Sequence, residues 1–422
     1  MARNPFRFFT RLGPGLITGA ADDDPSGIAT YSQAGASFGA NMLWTVALTY
    51  PLMVAVQLIS ARIGRVTGKG LAANLLVVFP RWVVMALIAL LFIANTINIG
   101  ADIAAMGAAC ELVLGFGAKS FTFVLALASL VLQLFVPYHR YVKALKWLTL
   151  ALFAYVGVVF TVQIDWPEVL TRTVLPHLTL SESAVTIVVA VFGTTISPYL
   201  FFWQSSEEVE DLAAEHQPDL LDEAPAEARE ELERMGFDTF VGMAFSNLVA
   251  FFIILTTAVT LHATGQTDIQ TSAQAAQALK PIAGPLAFGL FSAGIIGTGL
   301  LAVPVLAGSS AYAVAETFGW KSGLENQPWQ ARGFYAVIIA GMVIALGAVF
   351  SPLDPIKALF WSAVVNGVIS VPIMAAMMVV VSRRKQMGVF VATHAQKLFG
   401  WAATVVMAIA VIAMAVAAIP RS

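Results

Sequence analysis

The chain has 422 residues, of which 59% are hydrophobic and 11% charged, with a net charge of −2. Ordinary globular chains carry about 25% charged residues, so a mean hydropathy of +0.81 excludes a soluble enzyme, a nucleic-acid binder and a disordered scaffold. One cysteine, Cys110, leaves no internal disulfide or Cys-rich metal centre, and five histidines are too scattered for a His cage.

In chain order, Arg3, Arg7 and Arg11 precede a short apolar run that opens on Gly13-Pro14-Gly15 and ends in three aspartates. No small-residue cleavage site follows, so this reads as a retained first membrane span rather than a signal peptide. Apolar runs long enough to cross a bilayer fall at 12–39, 42–61, 82–114, 120–138, 144–163, 183–208, 238–262, 284–316, 331–350, 356–381 and 398–419. These eleven spans predict an all-α polytopic protein of the cell (inner or plasma) membrane. With the N-terminus inside, 18 of the 23 Lys and Arg residues fall on the inner side and 5 on the outer. Cytoplasmic loops retain positive charge, which supports a cytoplasmic N-terminus. Residues 207–238 hold 13 of the 25 acidic residues. A solvated cytoplasmic helix is the plain reading of such a run; a cation-attracting or regulatory patch at the inner mouth is the other.

Two spans are interrupted. The first carries Asp22-Asp23-Asp24-Pro25-Ser26-Gly27 between apolar segments, and the sixth carries Gly193-Thr194-Thr195-Ile196-Ser197-Pro198-Tyr199. Proline lacks an N–H and clashes with the preceding turn, so both predict unwound backbone, which a membrane tolerates only around a protein-lined or watery cavity. The interruptions open spans one and six, five spans apart. This defines a first repeat at 12–163, a second at 183–381 and an eleventh helix at 398–419. Matching breaks in two halves of a chain point to a transporter site at an inverted-repeat interface.

Neither break carries a Lys or Arg, and the first carries up to three carboxylates. A buried acid without a basic partner makes sense if a cation arrives to pair with it. Asp24, nearest Pro25, is the expected ligand. Asp22 and Asp23 are accessory candidates, the alternative being a solvated helix end where they are inert. Carboxylates, carbonyls and hydroxyls make an all-oxygen donor set, without Cys, His or Met in either break, which gives soft-metal capture no support. In span three, Asp102 and Glu111 are candidates for a polar pair, and Asn95 and Asn98 for interhelical contacts. Gln204 and Ser205 offer oxygens below the second break, with core hydrogen bonding as the alternative, and Asn366 in span ten is a candidate facing the site. The glycine-rich run Gly294–Gly299 lies inside an apolar span, so close helix packing explains it better than a dinucleotide fingerprint.

With these features the sequence resembles the NRAMP family of divalent-metal transporters, over nearly the whole chain. Gly13-Pro14-Gly15, the Asp-Pro break, the Gly193 to Ser206 segment and the helix count carry the likeness. The resemblance implies a LeuT-like inverted repeat of five plus five helices with an eleventh. It also implies a metal-binding aspartate at Asp24, the family's asparagine at Gly27, a carbonyl donor at Thr194, the thioether ligand at Ser197 and the histidine at Tyr199. The proton-linked glutamate of helix 3 falls on Asp102. Losing the thioether at Ser197 and opening space at Gly27 is similar to the NRAMP-related magnesium-transporter branch. A hard, hydrated cation, Mg²⁺ or else Mn²⁺, is then expected as the transported ion. The expectation is a secondary transporter working by alternating access. It has no resident cofactor and is not an enzyme; its partners are the ion and the lipid bilayer. A LeuT-fold carrier of a small organic solute such as an amino acid is the alternative, and the uncompensated acid argues against it. A membrane-embedded metal-dependent enzyme would need a nucleophile or base that no HExxH or paired DxxD constellation supplies.

Overall fold

The computed structural model describes residues 14–115, 117–136, 148–176, 181–215, 225–324, 326–349 and 354–419. Arg3, Arg7, Arg11, Arg140, Lys143, Lys146 and Arg421 of the charge asymmetry lie outside them. Among the described residues all regular secondary structure is helical, without a strand. The principal helices are α1 (Pro14–Asp22), α2 (Pro25–Phe38), α3 (Leu43–Thr67), α4 (Leu71–Val78), α5 (Arg81–Leu114), α6 (Ala118–Phe135), α7 (Phe153–Val159) and α8 (Trp166–Val174). They continue with α9 (Glu182–Thr195), α10 (Pro198–Glu215), α11 (Pro225–Thr260), α12 (Ala287–Phe318), α13 (Arg332–Val349), α14 (Pro355–Ser382) and α15 (His394–Ala417).

Nine described segments are long and apolar enough to cross a membrane. The first of these, Pro25–Thr67, joins α2 to α3 through a single 3₁₀ turn at Gly39–Met42 and so contains parts of two expected spans. The expected span 144–163 is described only from Leu148 onward, as a 3₁₀ turn followed by α7.

Burial ranks the helices. The apolar windows of α6 and α15 are 22% buried and face outward, whereas that of Glu182–Ala213, which spans the second break, is 83% buried. Apolar residues on lipid-facing helices cost nothing to expose, so this ordering reflects packing rather than hydropathy. Small residues set the central contacts. A Cβ on Gly193 of α9 would lie 2.1 Å from the Ala363 carbonyl of α14, and one on Gly19 of α1 would lie 2.3 Å from the Gly242 carbonyl of α11. Gly299 of α12 meets the Met106 sulfur of α5 at 2.6 Å in the same sense. The Gly294–Gly299 run is thus helical and tightly packed. These approaches seat α9 on α14, α1 on α11 and α12 on α5.

Candidate functional site

Both interruptions are present and buried. α1 stops at Asp22 and α2 starts at Pro25, with Asp24 extended between them at φ −68°, ψ 169°. The residue before a proline is pushed out of the α region, and proline suits the first helical position. The same grammar ends α9 at Thr195 and opens α10 at Pro198, with Ile196 at φ −115°, ψ 59°.

Asp24 is the N-cap of α2. Its Oδ1 accepts from the Gly27 N–H and the Ser26 hydroxyl, both at 2.7 Å. Its Oδ2 accepts from the Asn98 amide of α5 at 2.9 Å. The Asn98 carbonyl oxygen in turn accepts from the Ser362 hydroxyl of α14 at 2.6 Å. One carboxylate therefore ties α2, α5 and α14 together at the break, and the Asn98 reading as an interhelical contact holds. Asp22 and Asp23 are not at a solvated end: both are buried. Nor do they flank Asp24 at one point. They converge on the Ser246 hydroxyl of α11, which lies 2.6 Å from Asp22 Oδ2 and 3.1 Å from Asp23 Oδ1. Helical spacing would separate them, but Asp23 lies just past the end of α1, where that spacing no longer applies.

On the second break, the Ser197 hydroxyl donates to the carbonyls of Gly193 at 2.8 Å and Thr194 at 2.7 Å, closing the end of α9. The Thr194 side chain faces Gly27, where an added Cβ would sit 3.3 Å from its Oγ1 and 3.3 Å from the Tyr31 ring. Gly27 and Thr194 thus face each other where the two breaks meet. Tyr199 donates to the Ala21 carbonyl at 3.1 Å, and Tyr31 pairs with Thr195 at 2.9 Å. The two tyrosines bind α1 to α10 and α2 to α9.

Asp102 is fully buried with neither carboxylate oxygen hydrogen-bonded among the described residues, within Coulombic reach of Asp24. Glu111 is exposed, so the two do not pair; nine residues along α5 separate a bundle-facing position from an outward one. Asn366 is fully buried one turn beyond Ser362 on α14, and neither amide atom has a described partner. Gln204 is a core residue: Thr18 donates to its Oε1 at 2.5 Å, and its amide donates to Glu208 at 3.2 Å. Among the described residues no ion pair reaches Asp22, Asp23, Asp24 or Asp102.

The acidic segment is not a solvated helix throughout. It consists of the end of α10, the undescribed residues 216–224 and the start of α11, with Glu208 and Asp238 buried. Arg65 of α3, fully buried, reaches Glu231 at 2.6 Å, Asp211 at 3.2 Å and Glu208 at 3.9 Å. Sequence reasoning passed over Ser246 and Ser362. Their only signal is a hydroxyl in an apolar helix, which usually turns back on its own backbone.

The Nramp family, natural resistance-associated macrophage protein-like, matches residues 15–417. The chain is 27% identical over 401 residues to the "Divalent metal cation transporter MntH" of Klebsiella pneumoniae, covering 93% of this chain and 90% of that protein. It is 28% identical over 307 residues to the protein of the same name from Yersinia pestis, covering 71% of each. Among solved structures, the Eremococcus coleocola manganese transporter bound to an aromatic bis-isothiourea compound superposes with TM-score 0.75 at 15% identity, covering 99% of this chain and 89% of that one. The nucleobase-cation-symport-1 family transporter Mhp1, in a closed conformation, gives 0.56 at 13% identity over 96% and 92%. These likenesses establish the LeuT-like inverted repeat of five plus five helices with an eleventh. With the family match extending over almost the whole length, the chain belongs to the Nramp family.

Proposed function

We propose that this protein is a secondary transporter of divalent metal cations, working by alternating access, with Mg²⁺ as its ion and Mn²⁺ the nearest competitor. Metal transport is in keeping with the names of its relatives. The observation that carries the choice of ion is the oxygen-only donor set at the two breaks: Asp24, the Thr194 carbonyl and Ser197, beside Gly27, which brings no side chain to the site. Hard cations take oxygen ligands, and Mg²⁺ dehydrates reluctantly and keeps several waters. A soft donor would favour later transition metals, and none stands in either break.

The residues take distinct roles in this reading. Asp24 supplies the charge that pairs with the ion. Thr194 supplies a carbonyl once the Ser197 hydroxyl turns from it. Asp22, Asp23, Asp102, Tyr199 and Asn366 surround the path as accessory or proton-linked groups, and Gln204 acts below it by holding α1 to α10. The repeats span 12–163 and 183–381 in a cell membrane, with the N-terminus cytoplasmic. An organic-solute carrier finds no support, because buried carboxylates without a basic partner repel a substrate carboxylate.

The test is uptake of Mg²⁺ and Mn²⁺ into proteoliposomes, with internal pH followed in parallel. Asp24→Asn keeps the shape and removes the charge. Uptake of both ions is expected to fall to background while the protein purifies normally; wild-type uptake would overturn the site.

A further inference from the structure

The hydrogen bonds around Asp24 restrict where a cation can approach it. A carboxylate oxygen offers two lone pairs. Oδ1 already accepts two donors, Ser26 Oγ and Gly27 N–H, both from the first turn of α2. Taking them away would uncap the helix. Among the described residues, Oδ2 accepts from the Asn98 amide, and the backbone donors of Ser26 and Gly27 belong to the first turn of α2. The accessible lone pair of Asp24 is therefore on Oδ2, beside the Asn98 amide.

Asn98 is itself held from the far side. The Ser362 hydroxyl lies 2.6 Å from Asn98 Oδ1 and 2.7 Å from the Leu359 carbonyl of its own helix. A hydroxyl carries one proton, so it serves one acceptor at a time. Asp24, Asn98 and Ser362 are all essentially buried, where an amide that loses a partner is not rescued by bulk water.

We propose that Asn98 is a positioning residue for the transported cation. It fixes Asp24 Oδ2 as the one oxygen of that carboxylate offered to the ion, and the Ser362 hydroxyl keeps the Asn98 amide in register. When the ion draws on Oδ2 it repels the Asn98 N–H, so the Asn98 side chain shifts and the Ser362 hydroxyl turns to donate to the Leu359 carbonyl instead. Occupancy is thereby communicated to α14, the helix that packs against α9 through Gly193. This rests on the proposed transport function and adds the geometry of attachment.

The experiment compares KM and maximal rate of Mg²⁺ uptake in proteoliposomes for the wild type, Asn98→Leu, Asn98→Asp, Ser362→Ala and Ser362→Thr, with Asp24→Asn as reference. Asn98→Leu removes the bond to Oδ2 at similar volume, and KM is expected to rise about tenfold, the equivalent of one charge-assisted hydrogen bond. Maximal rate should stay within about twofold, since uniform binding is what is lost. Asn98→Asp sets a second carboxylate beside the free lone pair; KM should fall below wild type while maximal rate drops, because the ion leaves more slowly. A merely structural role would not lower KM. Ser362→Ala should raise KM about threefold, with Ser362→Thr restoring it through the retained hydroxyl. If Asn98→Leu does not purify as a folded protein, the Asn98→Asp and Ser362 pairs decide. Wild-type KM across the Asn98 and Ser362 variants, with Asp24→Asn inactive, overturns this inference alone. An active Asp24→Asn overturns the function on which it rests.

Discussion

Ser197 holds the end of α9 by donating to two carbonyls, one of them Thr194. A methionine there releases that carbonyl and exchanges the hydroxyl for a thioether, so a soft sulfur replaces one oxygen of the donor set. Gly27→Asn acts from the opposite side. Its Cβ meets Thr194 Oγ1 and the Tyr31 ring at 3.3 Å, so the chain has to give only slightly, and the amide then fills space that a hydrated ion needs. Both changes are expected to lower Mg²⁺ transport and raise Cd²⁺ relative to it, by about fivefold for each, corresponding to about 1 kcal/mol. Competition between Mg²⁺ and Cd²⁺ in liposomes checks this for the singles and the double. An unchanged ratio in an active double variant removes both positions from the ion path. At this scale Asp24 was legible because an acid next to proline in an apolar run has few other uses. Asn98 was legible only as a polar contact, and Ser246 and Ser362 not at all. Ser246 and Ser362 contact residues 223 or more positions away in sequence, and no local periodicity pairs such faces.

Among the elements, α1 is the one whose placement depends most on small residues. Its Gly15 and Gly19 lie against α11 backbone, at 2.6 Å from Thr239 Cα and 2.3 Å from the Gly242 carbonyl for an added Cβ. The Gly15 N–H donates to Asp238 at 2.7 Å. With α1 seated so closely, Asp22 and Asp23 reach Ser246 and the first break is brought to the centre of the bundle. Gly19→Val has no flexible neighbour to displace, since the obstacle is backbone. It is expected to cost about 1–3 kcal/mol and to abolish uptake by pushing α1 off α11. Gly289→Val, also in a helix but with nothing within 4 Å of its Cβ, serves as the control that keeps uptake. Thermal unfolding in detergent and uptake measure the two effects; a stable, active Gly19→Val protein would contradict the close docking. The breaks themselves could be read because proline acts locally. The seating of Asp22 and Asp23 could not, because it depends on which helix fills the groove beside α1.

Across the whole molecule, the acidic segment separates into two parts once folded. Exposed carboxylates at the start of α11 remain solvated, as with Glu233 and its neighbour Arg229. Others gather around Arg65, which is fully buried and bonds to both α10 and α11. Arg234 adds bonds to Asp211 at 3.4 Å and Glu231 at 3.0 Å. The same end of the bundle holds the Thr18–Gln204 and Gly15–Asp238 contacts of α1. Four helices are therefore stitched together on the side where α1 begins, the side proposed to be cytoplasmic. In the proposed transport cycle an opening on that side parts α1 from α10 and α11, the two helices that Arg65 holds together and ties to α3. A guanidinium suits this place because its planar fork serves several carboxylates at once. Arg65→Leu leaves the buried Glu208 without that cation and Asp211 and Glu231 with Arg234, and removing one partner of a buried pair costs about 3 kcal/mol. Part of that cost is avoided if the helices separate and water reaches the carboxylates, so the variant should favour the open inner side. The single cysteine makes this measurable. In a Cys110→Ser background, Thr18→Cys reports access to α1, and its labelling by a charged maleimide should rise several-fold when Arg65→Leu is added. Arg65→Lys, which keeps the charge without the fork, should fall between the two. Labelling unchanged by Arg65→Leu, in a protein that still transports, would show that this network does not close the inner side.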